Sequence, residues 1–95
     1  MILALDAGNT NICAGCIEGG EVRLTARIAT DRRKTEDEYA GVLEAVLRMN
    51  GVGPDSLDGS IICSVVPPVN RCLSLAVEMI TGRTPLFVKP GLKTG

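Results

Sequence analysis

The chain has 95 residues, of which 45% are hydrophobic and 22% charged, and its formal net charge is −1. This composition is typical of one globular domain with a modest core, and the near-neutral charge argues against a general nucleic-acid surface. No apolar run is long enough to span a membrane, and the amino terminus has a strand pattern rather than a signal sequence. We therefore expect a cytoplasmic protein with neither a nucleic-acid nor a membrane partner.

The first element is an apolar run, Met1 to Leu5, followed by a polar segment, Asp6 to Asn11. This pattern predicts a buried strand that ends in a tight turn. Gly8 allows a bend and a close approach, and Asn9 to Asn11 offer side-chain and main-chain donors to an anion. Asp6 is placed to hold a divalent cation that the same anion binds. The combination is typical of a nucleotide phosphate site.

The same residues also suit an ordinary hairpin turn. In such a turn Asp6 and Asn9 hydrogen-bond to their own main chain, and Gly8 adopts a positive φ. Turns of this kind are much commoner than phosphate sites. On the residues of this segment alone, both interpretations stay open.

Two further strands are predicted after the polar turn. Ile12 to Ile17 form the first, and Glu18 to Glu21 are a hairpin connection of the Gly-Gly kind. Apolar residues then alternate with polar ones from Val22 to Ile28, which predicts a strand with one face in the core and the other in water. We expect the first three strands to form an antiparallel meander, with the polar turn between the first two.

Four cysteines, Cys13, Cys16, Cys63 and Cys72, raise the question of a zinc site. Cys13 and Cys16 fall in a predicted strand, so their side chains point to opposite faces, and the sequence has no histidine to complete a mixed site. We expect the cysteines to be buried, small apolar residues.

The residue pattern between positions 31 and 51 predicts a basic loop followed by a helix. Asp31 to Lys34 is a short basic run, interpreted as a solvated loop. Thr35 to Glu38 is a capping box that begins a helix, and Asn50-Gly51 ends it. The apolar residues at helical spacing predict a core-facing stripe that comprises Tyr39, Val42, Leu43, Val46 and Leu47.

The last part alternates strand and helix. Ser60 to Val66 has the pattern of a fully buried strand, Pro67-Pro68 begins a helix that ends at Gly82, and Leu86 to Val88 is a short strand. Ser64 lies near the carboxyl end of its strand, where it is either structural or part of a pocket wall. The tail from Lys89 to Gly95 is either an anion or substrate loop or a frayed terminus.

The predicted fold class is therefore α/β, with the order βββ-α-β-α-β and a mixed sheet that has helices on its faces. This order, with Asp-x-Gly-Asn-Thr in the first hairpin, resembles the amino-terminal half of the actin, Hsp70 and sugar-kinase superfamily. Its ribonuclease H-like domains bind ATP phosphates in this turn. The segments Ser64 to Pro67 and Pro90 to Gly95 resemble those of type III pantothenate kinases, which transfer the ATP γ-phosphoryl group to pantothenate at the start of coenzyme A biosynthesis.

The resemblance covers the whole chain and implies a set of site residues. The nucleotide phosphates would be bound by Asp6, Ala7, Gly8, Asn9, Thr10, Asn11, Ile12 and Cys13, and Asp6 would also hold Mg²⁺. The pantothenate pocket would be shaped in part by Pro90, Gly91, Lys93, Thr94 and Gly95. It further implies ATP with Mg²⁺, a monovalent cation (K⁺ or NH₄⁺), and a homodimer whose sites draw on both subunits.

The chain also departs from the family pattern. Lys89 stands where family members usually have a Gly before the final Pro-Gly. The Gly-Ala-Asp-Arg motif with the presumed catalytic base, the adenosine motif and the second ribonuclease H-like lobe would lie beyond Gly95. We therefore expect residues 1–95 to be a truncated amino-terminal domain, inactive alone. The alternatives are a non-catalytic nucleotide-binding or regulatory module of the same fold, or another superfamily member such as a sugar kinase or an Hsp70-like ATPase.

Overall fold

The computed structural model describes residues 1–88. The elements follow the predicted order βββ-α-β-α-β, which is confirmed. Their bounds are β1 Ile2–Ala7, β2 Asn11–Glu18, β3 Glu21–Ala29, α1 Glu36–Met49, β4 Gly59–Ser64, α2 Pro67–Thr81 and β5 Leu86–Val88, with a short 3₁₀ turn at Pro54–Ser56 before β4.

The strands form one mixed sheet in the spatial order β3-β2-β1-β4-β5. β1 is antiparallel to β2, and β2 is antiparallel to β3, so the predicted meander is present. β4 runs parallel to β1, and β5 runs parallel to β4. β1 thus lies in the middle of the sheet with a hydrogen-bonded neighbour on each side.

Both helices pack against the same face of this sheet. Leu3, Leu5 and Ala7 of β1 are at most 2% exposed, and they belong to one core cluster with the buried residues of α1 and α2. The connections from β3 to β4 and from β4 to β5 move in one direction across the sheet, and right-handed crossovers in one direction place their helices on one side. Within residues 1–88 the predicted mixed sheet is thus covered by its two helices on one face.

Two strand predictions also need correction. Val22 is 62% exposed, because a register shift between Cys16 and Ile17 places it opposite Ile17, on the face away from the core. β4 is buried on one face only, and it ends at Ser64 rather than at Val66. Val66 is instead the residue that precedes the first turn of α2.

The cysteines are less buried than predicted. Cys13 is exposed and Cys16 is buried, so the two lie on opposite faces as expected, while Cys63 and Cys72 are half-buried. Burial raises the pKa of the Cys16 thiol above its ordinary value. Within residues 1–88 no group of three or more histidine, cysteine or acidic side chains is arranged to hold a metal ion.

The helix ends follow the predicted residues. At the start of α1 the Thr35 hydroxyl accepts a hydrogen bond from the Glu38 N–H at 3.2 Å, and the Glu38 carboxylate accepts one from the Thr35 N–H at 2.8 Å. α2 begins at Pro67 and is capped after Thr81 by Gly82, which has a left-handed φ of 73°. Neither helix of the described chain is long and apolar enough to cross a membrane.

We predict that Thr35→Ala lowers the free energy of unfolding by about 1 kcal/mol, because the Glu38 N–H loses its acceptor. Thr35→Ser keeps the hydroxyl and should stay within a few tenths of a kcal/mol of the parent. Urea unfolding of the three proteins measures both differences. Equal stability of Thr35→Ala and the parent would contradict a contribution from the capping box.

Candidate functional site

The predicted polar turn lies at the edge of the sheet where the parallel strands end. β1 ends at Ala7 and β4 ends at Ser64, and these two residues are paired in register. In open α/β sheets, ligands bind outside the carboxyl ends of parallel strands. The turn therefore lies at the edge where a ligand site is expected.

The eight predicted phosphate residues are divided between two strands and the turn that joins them. Asp6 and Ala7 end β1, residues 8–10 form the turn, and residues 11–13 begin β2. We expected β1 to end at Leu5 and β2 to begin at Ile12. Both strands are longer because the antiparallel ladder continues past Leu5, with Asp6 paired to Cys13.

The side chains of this segment separate into a buried group and an exposed group. Ala7 and Ile12 are fully buried in the core, so only their main chain can reach a ligand. Asp6 and Cys13 are exposed on the face opposite the core. The side chains of the turn and of the first residue of β2, namely Asn9, Thr10 and Asn11, are exposed as well.

Gly8 and Asn11 close the turn. The Gly8 N–H donates to the Asn11 carbonyl at 2.9 Å, and a Cβ added to Gly8 would lie 3.3 Å from the same carbonyl oxygen. Gly8 does not have a positive φ. Glycine is therefore favoured at this position by the close approach of the main chain and not by a left-handed conformation.

The ordinary-turn interpretation lacks its characteristic features here. Such a turn would have a positive φ at Gly8 and hydrogen bonds from the main chain to the Asp6 and Asn9 side chains. Gly8 lacks that φ, and within residues 1–88 neither side chain makes such a bond. In the same described range, the N–H groups of Asn9 and Thr10 have no protein acceptor. A carboxylate and several donors are thus available to a ligand.

Thr30, the residue after β3, holds the turn in place and was not predicted from the sequence. Its hydroxyl donates to the Gly8 carbonyl at 2.7 Å, and its N–H donates to the Thr10 carbonyl at 2.9 Å. The register that pairs Asn11 with Ala29 brings Thr30 beside the turn. The predicted meander contained this information, since it places the end of the third strand next to the first turn.

The residue after Thr30 is fixed by Tyr39 of α1. The Tyr39 hydroxyl donates to the Asp31 carbonyl at 2.7 Å and accepts from the Asp31 N–H at 2.9 Å. The Asp31 carboxylate accepts a hydrogen bond from the Arg33 N–H, and this bond, together with the Arg33 and Lys34 side chains nearby, lowers the pKa of Asp31 below its ordinary value. The basic run is therefore partly neutralised by its own aspartate.

Ser64 is used within the protein. It is 8% exposed, and its hydroxyl accepts a hydrogen bond from the Val66 N–H at 3.0 Å, at the start of α2. The Val65 N–H donates to the Ala7 carbonyl at 3.1 Å and ties the end of β4 to the end of β1. These contacts support the structural interpretation of Ser64 over that of a pocket wall.

The second predicted segment cannot be placed in the same way. Pro90, Gly91, Lys93, Thr94 and Gly95 lie outside the described residues, as does Lys89. β5, which ends at Val88 beside Cys63, reaches the same edge of the sheet as the polar turn.

Comparison with known proteins identifies the family. The model of the type III pantothenate kinase family matches residues 2–95. The chain belongs to this family. Curated type III pantothenate kinases of Syntrophotalea carbinolica and Agathobacter rectalis are each 42% identical to it over 95 residues, the whole chain. The chain spans 37% and 36% of the length of these two relatives.

A solved structure supports the fold. The ROK hexokinase of Thermus thermophilus matches 93% of this chain and 34% of its own length, with a TM-score of 0.65 and 19% identity. At that identity the likeness concerns the fold alone. The chain thus has the mixed sheet of the sugar-kinase and actin-like ATPase fold, as predicted, while the family match favours the pantothenate kinase resemblance over a sugar kinase or an Hsp70-like ATPase.

We predict that Gly8→Ala lowers the free energy of unfolding by about 1 kcal/mol, because the added methyl group must displace the Asn11 carbonyl. Gly41→Ala is the matched control, since Gly41 lies within α1 and an added Cβ there meets nothing within 4 Å. That control should raise stability by up to about 1 kcal/mol. Urea unfolding measures both, and changes of the same sign would contradict the close-approach explanation.

Proposed function

We propose that this chain is the amino-terminal, nucleotide-binding domain of a longer kinase that phosphorylates pantothenate to 4′-phosphopantothenate, the first step of coenzyme A biosynthesis. The observation that carries the proposal is the family match over residues 2–95. The curated relatives are named for the same activity, and they are more than twice as long as this chain. We therefore assign the activity to the longer protein.

Asp6 is the residue proposed to hold Mg²⁺. Its carboxylate is exposed and, among the described residues, makes no ion pair or hydrogen bond, so it is available to a cation. Carboxylate oxygens are ligands that Mg²⁺ prefers. When bound, Mg²⁺ supplies neutralisation of phosphate charge, which is a large part of catalysis in phosphoryl transfer.

The polar turn is proposed to contact the ATP phosphates. The N–H groups of Asn9 and Thr10 and the exposed side chains from Asn9 to Asn11 supply donors of the kind that phosphate accepts. The bond between Gly8 and Asn11 gives the turn its shape in the protein alone. Donors that are already in place need little rearrangement when phosphate charge develops or shifts during transfer.

The remaining roles rest on the family resemblance. The strand residues Ala7, Ile12 and Cys13 complete the phosphate segment, with Ala7 and Ile12 anchoring it in the core. Pro90, Gly91, Lys93, Thr94 and Gly95 are proposed to shape the pantothenate pocket, and the base that takes the substrate proton is expected beyond Gly95. We further propose a cytoplasmic homodimer that uses K⁺ or NH₄⁺ with Mg²⁺ and ATP.

We predict that the full-length protein releases ADP when it is given ATP, Mg²⁺ and pantothenate, whereas residues 1–95 alone do not, because they lack the proposed base and adenosine site. A coupled ADP assay on both proteins measures this. Turnover by the 95-residue chain would contradict the division of roles. ATP binding without turnover in the full-length protein would instead favour a nucleotide-binding or regulatory module.

We predict that Asp6→Asn in the full-length protein lowers kcat/KM for ATP by about 100-fold or more, because the carboxylate charge at the metal is lost. The free energy of unfolding should change by no more than about 0.5 kcal/mol, because Asp6 is exposed. Asp55→Asn, at an exposed position in the 3₁₀ turn, is the matched control and should change neither quantity. Retained turnover with a large loss of thermal stability would refute the metal role.

A further inference from the structure

Thr30, the residue after β3, makes two hydrogen bonds to the polar turn. Its hydroxyl donates to the Gly8 carbonyl at 2.7 Å, and its N–H donates to the Thr10 carbonyl at 2.9 Å. We propose that Thr30 is a positioning residue of the nucleotide phosphate site, which acts through the main chain of the turn and not by contact with the nucleotide. This inference rests on the proposed function, because it assumes that the turn binds phosphate.

The hydroxyl bond sets the direction of an available donor. The Gly8 carbonyl and the Asn9 N–H belong to one planar trans peptide unit, in which they point in opposite directions. Because Thr30 holds the carbonyl on its own side, the Asn9 N–H points away from Thr30. Within residues 1–88 this N–H has no protein acceptor. Thr30 thereby orients a donor that the protein itself does not use.

Gly8 makes this constraint necessary. A glycine rotates about its main-chain bonds more freely than any other residue, so the peptide unit between Gly8 and Asn9 has little intrinsic orientation. The Gly8 N–H is held by the Asn11 carbonyl, on one side of the glycine. The Thr30 hydroxyl holds the carbonyl on the other side. With both groups bonded, neither peptide unit next to Gly8 can turn without breaking a hydrogen bond.

Thr30 is itself firmly attached to the fold. Ala29, the residue before it, is paired with Asn11 in the β2–β3 ladder. Asp31, the residue after it, exchanges two hydrogen bonds with the hydroxyl of Tyr39, which is fully buried. The turn is therefore connected through Thr30 to the hydrophobic core, and motion of the turn relative to α1 is restricted.

Hydrogen exchange tests this role without any ligand. In the full-length protein, Thr30→Val removes the hydroxyl and keeps the branched shape, and Thr30→Ala removes it without adding an apolar contact. We expect the Gly8 amide to exchange roughly fivefold faster in both variants, because the turn opens more often. Thr30→Ser retains a hydroxyl and should restore the parent rate.

Thr81→Val is the matched control for the loss of a threonine hydroxyl. The Thr81 hydroxyl also donates to a main-chain carbonyl, that of Val77 at 2.8 Å, but in the last turn of α2 and away from the candidate site. This variant should leave the Gly8 exchange rate unchanged. An unchanged Gly8 rate in Thr30→Val and Thr30→Ala would overturn the proposal.

Steady-state kinetics of the same full-length variants test the link to phosphate. We expect kcat/KM for ATP to fall roughly 10- to 100-fold in Thr30→Val, because misplaced donors lose transition-state contacts. KM for pantothenate should stay within about twofold, and Thr30→Ser should restore kcat/KM for ATP to within about threefold. Thr81→Val should have the kcat/KM for ATP of the parent. If Thr30→Val and Thr81→Val lose kcat/KM for ATP equally, Thr30 has only a structural role and the proposal is overturned.

A wrong proposed function and a wrong role for Thr30 would give different experimental results. If the parent full-length protein neither binds ATP nor phosphorylates pantothenate, the proposed function is wrong, and so is the phosphate role of Thr30. Faster Gly8 exchange in Thr30→Val would then still establish that Thr30 holds the turn. If the parent is active and Thr30→Val keeps the parent kinetics, only the role of Thr30 is wrong.

Discussion

The hydrogen bond from the Gly8 N–H to the Asn11 carbonyl is the constraint on which the candidate site depends. It closes a turn of three residues between two paired strands and leaves little space for a side chain at Gly8. Because the β1–β2 ladder continues up to this bond, the strand alternation holds to its end, and Asp6 is directed to the open face while Ala7 enters the core. The turn therefore continues the pairing of β1 and β2, and its position is fixed by the central strand of the sheet.

The rest of the described fold supports this turn from two directions. On one side the Val65 N–H bonds to the Ala7 carbonyl, which ties β1 to the start of α2. On the other side Thr30 bonds to the turn, and Tyr39 bonds to Asp31 next to it. Both supports lead to the core that packs under one face of the sheet. A binding segment held by strands and helices is positioned more accurately than one on a free loop.

The sequence predicts those structural features that depend on residues close to one another in the chain. Periodicity and capping residues were sufficient for the order of elements, the capping box at Thr35 and the end of α2 at Gly82. What depends on distant parts of the chain was missed. The exposure of Val22 results from a register shift in the pairing of β2 with β3. The hydrogen bond from Thr30 to Gly8 joins residues that are 22 positions apart in the chain. The predicted meander tells which strands are neighbours, but a local pattern gives neither the register shift nor the individual side-chain bond, and these decide how the candidate site is supported.

Asp6 argues most directly for a ligand at this edge. Aspartate is depleted in strands, yet Asp6 lies in β1, the central strand, beside Cys13 and Cys63 on its two neighbours. Within the described part of the chain its carboxylate makes no hydrogen bond or ion pair, so no contact there explains its presence through stability. Residues that are unfavourable in their secondary structure, and that make no contact which stabilises the fold, are concentrated at functional sites. A cation bound together with an anion on the adjacent turn would account for the carboxylate and for the unbonded N–H groups of Asn9 and Thr10 at once.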